Sequence, residues 1–171
     1  MTPRFLHAVA HTLAWEGGFT HNPSDRGGDT RFGISAATFP HENIAQLTID
    51  RAIQLYCVTF WMPLCLDELP PRIAAKVFDT AVNMGPTAAT RLLQQAFNIL
   101  AGAAQQLVED GVMGAVTRGR ANRFQSEDVL LAVYCGLQWE RYRQIIETNP
   151  SQRTFLGGWA RRASYQPEAG V

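Results

Sequence analysis

Between Trp15 and Ser35 the chain reads WEGGFTHNPSDRGGDTRFGIS, placing one carboxylate, Glu16, where an amphipathic stretch gives way to a glycine-rich polar loop. Gly17 and Gly18 end the helical pattern and leave open backbone beside that carboxylate, which a bulky polar substrate can approach. A partly desolvated carboxyl in a cleft is the physical recipe for a proton donor at neutral pH. Burial disfavours the charged form and lifts a glutamic acid from about 4.3 toward roughly 6. Asp25 and Thr30 follow in the same loop, an acid and a hydroxyl of the kind that orient water or stabilise developing positive charge. Each has a structural alternative: Asp25 can close an Asx-type turn, Thr30 can cap the backbone beside it, and Arg31 can pair with Asp25 or Asp29 as readily as with a ligand.

These groups need elements to hold them. Thr2 and Pro3 suit a helix start, and Leu6, Val9 and Leu13 recur at helical spacing, which predicts that Glu16 leans toward the interior on the same face. Asn22 through Asp25 favour turns, and the return to Phe32, Gly33 and Ile34 predicts a short hairpin or loop excursion folded over the end of the first helix. Downstream the periodicity is helical. Thr48 caps a segment ending before Pro63, Pro70 and Pro71 open one that runs to Met84, Gly85 and Pro86 start a third, and Ser126 caps a long one reaching about Glu147. The segment Asp110–Thr117 has too few oxygen ligands for a calcium loop and reads as a turn and helix start. The predicted fold class is mainly α, with the hairpin as the single small sheet.

The order of Glu16, its glycine pair, Asp25, a second glycine pair and Thr30, continuing as GGDTRFGIS, resembles the signature of the N-acetylmuramidases of glycoside hydrolase family 108. Further blocks resemble the later parts of that family: FDTAVNMG from Phe78, LLQQAFN from Leu92, EDGVMGAVT from Glu109 and FLGGWARRA from Phe155. The resemblance implies a lysozyme-like helical fold, with residues 1–85 as the muramidase region and 86–171 as a helical peptidoglycan-binding region packed with it as one compact unit. It also implies that Glu16 is the catalytic acid. The arrangement of Glu16, Asp25 and Thr30 is similar to that of phage lysozymes, except that four residues separate Asp25 from Thr30, one fewer than in that pattern.

Cleaving a glycosidic bond requires protonation of the departing oxygen while another group meets positive charge at the sugar carbon, or a water attacking it. Glu16 suits the first task, and Asp25 with Thr30 the second. Sugar rings stack on aromatic planes and take hydrogen bonds from a few fixed polar groups, so Trp61, Phe78 and Trp159 are candidate shelves. Asp79 and Asn83, four apart on one helical face, are candidate polar partners, with Arg31 as a third. The bland alternative for the aromatics is a place in the core, and for Asn83 a structural hydrogen bond. The expected activity is cleavage of the bond between N-acetylmuramic acid and N-acetylglucosamine, in phage lysis or wall remodelling for secretion. A lytic transglycosylase and a non-catalytic wall-binding module are the alternatives.

Composition fits a compact enzyme. In 171 residues, 15 basic and 15 acidic side chains give a formal net charge of zero, which carries no global signal for nucleic acid or an anionic membrane. Cys57, Cys65 and Cys135 are odd in number and lack metal-ligand spacing, so they are expected to be reduced, buried fillers. No cofactor and no metal are expected. The expected partners are peptidoglycan glycan strands, with a holin or secretion partner for export; no stable membrane insertion is expected, and the chain is expected to be monomeric. The amino terminus shows no secretory signal pattern, which predicts synthesis in the cytoplasm and action at the periplasmic cell wall after export.

Overall fold

A computed structural model describes residues 1–16, 30–102 and 105–168, with the side chains of Trp15 and Glu16 outside that description. Among the described residues there are seven α-helices and one two-stranded sheet, the lysozyme-like, mainly helical arrangement expected.

Helix α1 (Pro3–Glu16) is capped by Thr2, whose Oγ1 accepts from the Phe5 amide at 3.3 Å and donates to Asp67. Its buried stripe is Phe5, Ala8, Val9 and Thr12. This corrects the expected face of Leu6, Val9 and Leu13, because Leu6 is exposed and Leu13 only half-buried. The reason lies in what the helix packs against. Phe5 meets Trp61 and Phe78 edge-on, with ring centroids 5.4 and 5.9 Å away, and this aromatic contact outweighs a leucine stripe.

The hairpin consists of β1 (Thr30–Arg31) and β2 (Ile34–Ser35), antiparallel, with Thr30 opposite Ser35 and Arg31 opposite Ile34. Phe32 and Gly33 between them both have positive φ, as a two-residue turn of type I′ requires. The strain at Phe32 is held by α2 (Ile49–Tyr56): the Tyr56 hydroxyl donates to the Phe32 carbonyl at 2.8 Å. Thr48 caps α2 by accepting from the Arg51 amide, and the helix widens into one π turn, Cys57–Trp61, that carries Trp61 into the interior.

Helix α3 (Pro71–Met84) is central. Every residue from Ile73 to Ala81 is buried, because α3 meets α1 on one side and α4 (Pro86–Ala101) and α6 (Glu127–Thr148) on others. Gly85, at φ 87°, turns the chain between α3 and α4. Gln94 on α4 organises the Asp110–Thr117 segment: it donates to Asp110 and Thr117 and accepts from the Gly111 amide, so this acidic turn is held by an amide, and α5 (Ala115–Arg123) starts behind it. After α6 the chain makes a 3₁₀ segment, Pro150–Phe155, and ends in α7 (Leu156–Ser164), which packs on α6. Neither of these last two elements was foreseen from periodicity. One core cluster runs from Phe5 in α1 to Tyr134 in α6. The three cysteines are free; Cys57 is buried, whereas Cys65 and Cys135 are only partly so, which corrects their reading as buried fillers. Among the described residues no helix is long and apolar enough to cross a membrane.

Candidate functional site

The expected site residues separate into three groups. Glu16 is the last residue of α1, one turn on from the buried Thr12 position, while Asp25 lies outside the described residues. Thr30 opens β1 opposite Ser35. Arg31, beside it, donates to the Ala45 carbonyl at 2.6 Å, with its guanidinium 5.2 Å from the centre of the Phe32 ring. It therefore ties the hairpin to the 3₁₀ turn Ile44–Gln46.

The second group is buried. Trp61 and Phe78, expected as sugar shelves, are 2% and 0% exposed, with ring centroids 5.6 Å apart in an edge-on contact. They are core. An aromatic at helical spacing has the same sequence signature whether it meets a ligand or its neighbours, and here Phe5 and Tyr56 complete the cluster. Asp79, expected as a polar ligand contact, is buried too, with its Oδ1 2.6 Å from Nη1 of Arg162 on α7. Lys76, fully buried one turn earlier, donates to the Arg162 carbonyl at 2.7 Å, and its ammonium lies 5.8 Å from the centre of the Tyr165 ring. Burial holds Lys76 below the ordinary lysine range. These contacts fasten α7 to α3. Sequence reasoning had no signal for them beyond two cations and an acid in otherwise apolar helices.

The third group is brought together. Asn83 ends the exposed face of α3, and Trp159 faces it from α7 across a groove of about 370 Å³ whose wall includes Phe155 and Tyr142. Trp159 stacks on Tyr142, with centroids 4.8 Å apart and planes 10° from parallel; Phe155, 53% exposed, continues the aromatic wall at 5.9 Å from Trp159. The Tyr142 hydroxyl donates to Asn83 Oδ1 at 2.8 Å and accepts from Gln138 Nε2 at 3.1 Å. With its oxygen occupied, Asn83 has its Nδ2 hydrogens to offer a ligand. Burial pushes the Tyr142 phenol up to about 12, so it stays a neutral donor at any working pH. Tyr142, Gln138 and Phe155 were missed from the sequence. Tyr142 carried a usable signal, since a tyrosine on the apolar side of a helix needs a hydroxyl partner.

An amide beside an aromatic wall is chemistry suited to a carbohydrate, and the helical fold with its small hairpin after the first helix is lysozyme-like, the architecture of a glycosidase. Sequence comparison specifies which kind. Residues 9–85 match the family described as Glycosyl hydrolase 108, and residues 88–164 match the Predicted Peptidoglycan domain. The chain thus carries a glycoside hydrolase 108 domain followed by a predicted peptidoglycan domain, and it is a peptidoglycan hydrolase. Among solved structures it is similar to SagA of Brucella abortus, 26% identical over 94% of this chain and 89% of that one, with a TM-score of 0.75. No curated protein matches the chain in sequence.

Proposed function

We propose that this hydrolase is an N-acetylmuramidase that cleaves the β-1,4 bond between N-acetylmuramic acid and N-acetylglucosamine, with Glu16 as general acid. Asp25, with Thr30, holds the attacking water or meets the developing charge on the sugar. Asn83 donates an amide N–H to the glycan and Trp159 stacks on a ring. The observation that carries this reading is the groove in which Asn83 and Trp159 meet: it is contributed by α3 from the first half of the chain and by α6 and α7 from the second. Residues 1–85 supply the acid and 86–171 complete the substrate surface, with both halves working as one body. The substrate lies in the cell wall, so the enzyme acts there, and a holin or secretion partner supplies its passage.

The test is mass spectrometry of peptidoglycan after digestion. Reducing N-acetylmuramic acid ends are expected; anhydro ends would instead indicate a transglycosylase, and no new ends a binding module. Glu16→Gln preserves shape but has no proton to give, so cleavage should fall by at least about a hundredfold with melting unchanged. A variant that still clears walls at the wild-type rate would remove Glu16 from the mechanism.

A further inference from the structure

The groove of Asn83 and Trp159 is not closed at its far end. Ala88 and Arg141 line both it and a neighbouring groove of about 670 Å³ between α4 and α6, so the two form one continuous trough. The larger part differs in chemistry. Its walls carry Arg91, Gln95, Glu109, Glu140 and Gln144 in place of aromatic rings.

Most of those charges are already engaged. Arg91 donates to the backbone carbonyls of Glu109 and Asp110, Glu109 accepts from Gln95 and Asn98, and Glu140 pairs with Arg143 at 3.0 Å. Arg141 is exposed at the junction of the two grooves, and among the described residues it makes no hydrogen bond or ion pair. A guanidinium with a free donor fork at the meeting point of a sugar-type groove and an amide-rich one is suited to a carboxylate.

We propose that Arg141 binds a carboxylate of the peptidoglycan stem peptide, and that the larger groove holds that peptide while the glycan lies over Asn83 and Trp159. This rests on the peptidoglycan reading and extends it from the sugar to the peptide. The stem is attached to muramic acid, so a strand seated at Trp159 must direct its peptide sideways. The Nε2 groups of Gln95 and Gln144 donate to Glu109 and Glu140, so the adjoining groove offers their side-chain carbonyl oxygens as acceptors for the peptide's backbone N–H groups, and Arg141 offers the cation at its entrance. The muramic acid lactyl group, where no peptide is attached, carries the same carboxylate chemistry and is the competing source.

The experiment is fluorescence-polarisation binding of a labelled stem tripeptide and, separately, of a labelled peptide-free glycan oligomer to the full chain and to Arg141→Lys, Arg141→Ala and Arg141→Glu. Affinity for the tripeptide should fall about tenfold in the alanine variant and further in the glutamate variant, with lysine between alanine and wild type. That graded order is not one that misfolding produces. Equal tripeptide affinity across the series overturns the proposal, as does no tripeptide binding by the wild type, or a loss confined to the peptide-free oligomer, which would assign Arg141 to the lactyl carboxylate. Release of reducing ends from whole wall, measured in parallel, reports separately on the muramidase reading.

Discussion

Tyr142 and Asn83 meet hydroxyl to amide at 2.8 Å, and the same tyrosine ring lies parallel beneath Trp159, so one residue of α6 sets both the polar and the stacking half of the groove. Removing only the hydroxyl separates these two duties. Tyr142→Phe should keep the stack but release the Asn83 amide and leave Gln138 Nε2 without its acceptor. Stability should fall by about 1 kcal/mol and kcat/KM by about tenfold, read by melting and by reducing-end release. Unchanged kcat/KM alongside lowered melting would make the contact purely structural.

In the proposed mechanism Asp25 and Thr30, in the sequence that follows α1, handle the water. Asp25→Asn should cost more activity than Thr30→Ala, because the first removes a charge and the second a single hydrogen bond. If both variants keep nearly full activity in a wall-clearing assay while melting drops, the two residues serve the turn and another group handles the water.

The buried Asp79–Arg162 pair lies one helical turn from the groove on both sides: Asp79 precedes Asn83 by four residues on α3, and Arg162 follows Trp159 by three on α7. Breaking it leaves an uncompensated charge in the interior. Asp79→Asn should destabilise the fold by about 3–5 kcal/mol, whereas the double change Asp79→Leu with Arg162→Met should recover much of that loss. Thermal melts of the single and double variants test this. A single variant as stable as wild type would show that the pair does not hold α7 in place.

His11 supplies a pH dependence of known sign. Its ring stacks on Tyr165 at 3.7 Å, and burial, followed by the cations Arg162, His7 and Lys76, holds its pKa below 6.5. The unfolded chain therefore takes up the proton first as pH drops. The stability supplied by the neutral ring is present in full above about pH 6.5 and is lost as pH falls toward the lowered folded value. His11→Phe keeps an aromatic on Tyr165 without the titration, so its melting temperature should fall less than that of wild type between about pH 7 and pH 5. Parallel curves for the two proteins would show that His11 does not contribute.

The local chemistry of the chain was legible without its fold. Thr48 and Ser126 cap where hydroxyl side chains before apolar periods should, Pro71 and Pro86 open helices because each already fits the first turn, and the order of Glu16, Asp25 and Thr30 carries the family signature. Such features depend on neighbours a few residues away. Burial does not. Trp61, Phe78 and Trp159 are alike as sequence, yet Phe5 from α1 closes over the first two, while α7 turns the third toward a groove. Asp79 and Asn83 share a helix face, yet Arg162, 83 residues from Asp79, claims the first, and Tyr142, 59 residues from Asn83, orients the second. Which polar group is spent inside and which is left for a ligand was decided by the packing of α6 and α7 on α3, because those partners are distant in sequence and come within a few ångströms only when the core closes.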